Sequence, residues 1–122
     1  MNRTTQYLTS HPEQTELFSI INSAKNSSHV SITIATGSPP NCLLFNQLEN
    51  PSIDIAFFTV NNIDEAILLI KGRKNYSFKV SDMQIDKITY IQSEINTVYK
   101  TKFTHWGTDY RLDFTMNATP ME

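Results

Sequence analysis

The densest group of chemically capable side chains lies near the C-terminus, at His105-Trp-Gly-Thr-Asp109 followed by Tyr110 and Arg111. Trp106 and Tyr110 can stack on a flat ring, and Arg111 can hold a phosphate or carboxylate through its planar fork. A tryptophan there can equally anchor a hairpin or bury itself at a subunit interface. Lys71, Arg73 and Lys74 form a basic cluster. They suit an anion contact, and they also suit the C-terminal dipole of a preceding helix. Cys42 sits in an apolar run and reads as a small core residue rather than a nucleophile. His11, His29 and His105 have no Cys, Asp or Glu at recognised metal-ligand spacings. P-loop, G-x-S-x-G and G-x-G-x-x-G patterns do not occur. Asp82, Asp86 and Glu94 are scattered and read as solvated loop charges.

These groups need elements to position them. Ser10-His-Pro-Glu13 has the capping-box pattern, and Leu17, Ile20, Ile21 and Ala24 recur at helical spacing, so a helix is expected from about Pro12 to Lys25. Val30, Ile32 and Ile34 alternate with Ser31 and Thr33 in a first strand. The turn at Gly37 to Pro40 leads to a second strand, Asn41 to Gln47. Glu49-Asn-Pro-Ser52 then precedes a third, Ile53 to Thr59, apolar on both faces and expected to be central. Short connections favour antiparallel pairing of consecutive strands. Asn61 or Asn62 can cap a second helix over Ile63 to Lys71, with Ile63, Ala66, Ile67 and Ile70 on one face and Gly72 as its stop. Strands follow at Tyr76 to Val80, Ile88 to Ile91, Thr97 to Phe103 and Tyr110 to Met116. Residues 1–9 and 117–122 read as tails, although Tyr7 and Leu8 could dock onto the core.

The chain has 122 residues, 39% hydrophobic and 18% charged, as expected for one soluble domain. A net charge of −2 gives no general attraction to nucleic acid or to an anionic membrane. One cysteine excludes an internal disulfide. Met1 to Leu8 lacks the apolar run of a signal peptide, and no segment approaches a membrane span, so a cytoplasmic location is expected. The fold class predicted is mainly β with flanking helices. A six-stranded antiparallel split barrel would remove exposed sheet edges, and an open α+β antiparallel sheet is the competing solution.

Ile32-Thr-Ile-Ala-Thr-Gly-Ser-Pro39 and Asp54-Ile-Ala-Phe-Phe-Thr59, with Ile63 to Lys71 and Asn75-Tyr-Ser-Phe78 after them, resemble the FMN-binding split-barrel family related to pyridoxamine 5'-phosphate oxidase. The likeness runs from about Leu17 to Val80. It implies a homodimer with FMN in grooves between subunits, and a flavin-dependent oxidoreductase acting on a small substrate. In that family basic residues on the second strand and at the following helix start grip the phosphate, assisted by hydroxyls near the end of the third strand. Thr59 matches a hydroxyl position. Asn61 and Asn62 stand at the expected helix start, where backbone amides attract phosphate. The basic positions are occupied instead by Asn41, Cys42, Asp64 and Glu65. The cofactor contacts expected from the resemblance and the residue chemistry together are Thr59, Asn61, Asn62, Lys71, Arg73, Trp106 and Arg111. The alternative is a non-enzymatic dimer that binds another small anionic ligand or a protein on the same scaffold.

Overall fold

The computed structural model describes residues 2–37 and 44–117, without the side chains of Leu44 and Phe45. The order is α1 (Arg3–Ser10), a single 3-10 turn (Pro12–Gln14), α2 (Thr15–Lys25), β1 (Val30–Thr36), β2 (Leu44–Glu49) and β3 (Ser52–Val60). Then come β4 (Ile63–Lys71), β5 (Tyr76–Lys79), a 3-10 turn (Val80–Asp82), β6 (Met83–Gln92), β7 (Asn96–His105) and β8 (Thr108–Asn117). All strand pairs are antiparallel and form two open sheets, ordered β2-β1-β8-β7-β6 and β3-β4-β5. The protein is therefore mainly β with two α-helices, as the competing solution predicts. The six-stranded barrel is not what forms: β2 and β6 end one sheet, and β3 and β5 end the other.

The break between the sheets has a local cause. Asn50 adopts φ of 47° immediately before Pro51, turning the chain off the sheet that β2 belongs to. Its side-chain oxygen accepts from the Val30 amide at 2.9 Å, and its own amide donates to the Val30 carbonyl at 2.7 Å. So β2 and β3, though joined by a short turn, do not pair. Nor is β3 central; β4 holds that place in the smaller sheet.

The segment Ile63 to Lys71 is a strand, not the second helix. Its apolar residues satisfy a helical face and a two-sided strand about equally, so periodicity alone cannot decide. Turn chemistry decides it: Asn61 and Asn62 have φ of 51° and 64°, both left-handed, joining the pair Val60–Ile63. That is the backbone of a two-residue hairpin turn, which asparagine tolerates well. Neither residue caps a helix, and no helix N-terminus is available there for a phosphate.

At the N-terminus, Arg3–Ser10 is helical where the chain reads as a tail. Asn2 caps it, its side-chain oxygen accepting from the Thr5 amide at 2.8 Å. Tyr7 is buried, as the docking alternative expects, and stacks on His11 and Phe18. The expected capping box at Ser10 to Glu13 does not form; Pro12 begins the 3-10 turn that leads into α2. The expected turn at Gly37 to Pro40 and the start of the second strand, including Cys42, lie largely outside the described residues, as does the tail after Asn117.

One core unites these parts. The inner face of the five-stranded sheet supplies Ile32, Ile34, Phe103, Leu112 and Phe114; the smaller sheet supplies Ala66, Leu68, Ile70 and Phe78. Leu17, Ile20 and Ile21 of α2 complete it. Phe78 meets Phe103 and Tyr110 edge-on at ring distances of 5.5 and 5.2 Å. On β8, Leu112, Phe114 and Met116 are buried as alternation predicts, sending Arg111, Asp113 and Thr115 to the opposite face.

Candidate ligand-binding face

That opposite face carries Arg111 beside cations from two neighbouring strands, with Trp106 in the turn at its end. At its upper end β7 and β8 are joined by Trp106-Gly107, with φ of 54° and 77°. A left-handed backbone is easy for glycine and costly for a bulky side chain, which makes Trp106 a strained residue. The residue is 81% exposed, and its indole Nε1–H donates to Asp82 Oδ2 at 3.0 Å. The turn thus displays a fixed aromatic surface to solvent. Beside it lies an open cleft of about 490 Å³ lined by Ser81, Asp82, Gln84, Thr104, Trp106 and Gly107.

Further along the ladder the face becomes basic. Gln84 pairs with Thr104, and the next outward pair is Lys87 with Lys102, which is itself paired with Arg111 on β8. The register shifts between Ile85 and Lys87, leaving Asp86 as the extra residue of a bulge. That single insertion lets Met83 and Ile85 turn inward and still brings Lys87 outward opposite Lys102. Three cations side by side across adjacent strands repel one another, since directly opposed residues sit about 5 Å apart. Nothing in packing calls for such a row. Lys100 and Asp113 form the following outward pair.

Lys87, Thr89, Lys100, Lys102, Arg111 and Asp113 surround a shallow cleft of about 250 Å³. Arg111 reaches Asp113 only at 3.7 Å, and the other carboxylate oxygen, Oδ1, is buried without a hydrogen-bond partner among the described residues. Burial pushes the Asp113 carboxyl above the usual range, against the opposing pull of Arg111 and Lys100. The cleft therefore offers several charge-assisted donors.

The remaining expected contacts lie elsewhere. Thr59, Asn61 and Asn62 cluster at the β3–β4 turn, where Thr59 Oγ1 donates to Asp64 Oδ1 at 2.9 Å and accepts from Arg3 at 3.0 Å. Lys71 and Arg73 are exposed at the opposite end of β4 and in the turn beyond it. The three groups do not converge on one site. Compared with family models, with curated proteins and with solved structures, the chain matches none of them.

Four residues of the basic face escaped sequence reasoning: Lys87, Lys100, Lys102 and Asp113. Lys100-x-Lys102 on a strand already requires one shared face, and that signal was legible. Lys87 was hidden by the bulge. Asp82, read as a solvated loop charge, is the residue that holds Trp106.

Proposed function

We propose that this chain is a binding module for a small ligand that combines a flat ring with a phosphate, with FMN the first compound to test. What supports the reading is the juxtaposition on one sheet face of a rigidly displayed tryptophan and a row of three cations. Trp106 to Lys102 is four residues, about 13 Å along a strand, a span that an extended ligand with a ring at one end and a phosphate at the other can cover. A ring on Trp106 can therefore carry a phosphate to Lys102, Lys87 and Arg111 without leaving the face. Stacking supplies the ring contact, and the guanidinium supplies a two-pronged anion contact. If redox chemistry accompanies binding, it is the ring's own, and the protein supplies orientation and polarity.

The test is quenching of FMN fluorescence, with riboflavin as the phosphate-free comparison. FMN is expected to bind at least about tenfold more tightly than riboflavin, the share of one or two charge-assisted hydrogen bonds. Trp106→Ala and Arg111→Ala should each weaken FMN by about tenfold, while Thr59→Ala leaves it unchanged. Absence of FMN binding at high micromolar concentration sinks the flavin reading. Equal affinity for FMN and riboflavin, or indifference to both alanine variants, removes the face from consideration.

A further inference from the structure

The five-stranded sheet ends at β6, with no strand beyond it among the described residues. β6 is ten residues long, and an edge strand offers the backbone N–H and C=O groups of alternate residues to whatever lies beside it. The other edges are shorter or engaged. β5 has four residues and β2 six, while β3 is bonded to both helices, through Asp54 to Lys25 and through Thr59 to Arg3. Proteins commonly blunt a free edge with a bulge or a charge. On β6 both devices, the bulge at Asp86 and Lys87, come before residues 88–92, which run in unbroken register with β7. That stretch is apolar where protection calls for charge. Tyr90 and Ile91 are 50% and 47% exposed, and Ile95, between β6 and β7, is 76% exposed. These are three of the six large hydrophobic side chains exposed among the described residues, gathered at one end of one edge.

We propose that β6 pairs with an extended segment of another protein, one in which acidic and apolar residues alternate. The two faces of the edge specify that pattern. On the inner face Ile88 packs against the core, and the Tyr90 ring lies 5.0 Å from that of Tyr99, so a strand laid alongside meets apolar neighbours there. On the outer face stand Lys87 and Thr89, backed by Lys102 and Lys100 of β7. Lys87 and Lys102 form no ion pair among the described residues. An acidic side chain opposite Lys87 relieves the repulsion between the two, and cross-strand pairs of opposite charge favour the ladder. A second copy of the chain, joined β6 to β6, would instead add another row of cations to one continuous face. Main-chain bonds supply the affinity in such strand addition, and the alternating side chains supply the choice of partner. The surface is independent of the ring-and-phosphate reading, since it needs neither Trp106 nor Arg111.

The probe is a fluorescein-labelled peptide alternating Glu with Val over about eight residues, titrated by anisotropy with the full chain up to about 500 µM, a range that covers weak, transient contacts. The wild type is expected to bind it, and to bind a Lys-Val peptide at least about tenfold more weakly. Lys87→Glu should reverse that preference, and Tyr90→Ala should weaken both peptides about fivefold. Both residues are exposed, and circular dichroism checks that the variants fold. N-methylation of the peptide tests strand pairing on the wild type alone. Methylating one alternate set of amides should abolish binding, and methylating the other set should leave it. No binding at the top concentration overturns the proposal. So do equal affinities for the acidic and basic peptides, or two methylated sets that behave alike. A chain that dimerises over the same range and excludes the peptide places a second copy on the edge, and overturns it as well.

Discussion

Asp113 and Trp106 are both held at a local cost, one in burial of a charge and one in backbone strain. Burial resists the charge of the Asp113 carboxylate, and its Oδ1 has no donor among the described residues. Its folded pKa is raised, so between the ordinary value of 3.8 and the folded value the native state holds the proton more tightly than the unfolded chain. Stability from this group therefore increases as pH falls through that window. At neutral pH its charge is a burden. Asp113→Asn is expected to raise the melting temperature at pH 7 by roughly 3 °C, with the gain shrinking towards pH 4. Calorimetry across that range checks both the sign and the convergence.

At the scale of elements, two hairpins use the same backbone solution with different residues. The β3–β4 turn is Asn61-Asn62, well matched to two left-handed positions; the β7–β8 turn is Trp106-Gly107, of which only the glycine is. Trp106→Asn creates the favoured Asn-Gly turn. Chemical denaturation should then show a gain of about 1 kcal/mol, the strain of one poorly suited residue. Ring stacking should be lost in the same variant. A protein that becomes more stable and binds less well would place the strain in the service of binding; no gain in stability would mean that the bond to Asp82 already offsets it. The bulge at Asp86 has a comparable role, since it permits apolar residues on one side of β6 and Lys87 on the other.

Across the whole molecule, the helices are pinned to the edge of the smaller sheet by two carboxylates. Asp64 is bonded by Thr59 and by Arg3 of α1, and Asp54 by Lys25 of α2. For Asp64 the Thr59 hydroxyl and then Arg3 hold the carboxyl below its usual range; for Asp54 the Lys25 contact does so first. Depressed carboxyl pKa values give stability that is present above about pH 4 and lost as pH falls through the folded values. Acidification from pH 6 to pH 3 should thus loosen α1 and α2, seen as faster amide exchange in Arg3–Ser10 than in β8. Arg3→Ala should remove most of that pH response from α1 while leaving that of α2. Both pairs are exposed, so the global effect is small and the local one is the measurement to trust.

The sequence by itself determined what depends on local pattern. Alternation on β1 and β8 assigned their inner and outer residues, the periodicity of Leu17, Ile20, Ile21 and Ala24 assigned α2, and glycine after Trp106 marked its hairpin. Trp106 and Arg111 were legible as candidate contacts from their chemistry. Tertiary structure decided everything that depends on which strands meet. Nine residues from Ile63 fit a helix or a strand, and the left-handed Asn61-Asn62 turn, with the β3 pairing it closes, chose the strand. A left-handed Asn50 before Pro51 sent β3 into a second sheet, opening what a short connection would otherwise have joined. The basic face required β6, β7 and β8 to lie side by side with one residue bulged out, so that cations distant in the chain became neighbours. Local preference is set within a few residues, but a face is set by register, and register is decided by the packing of the whole.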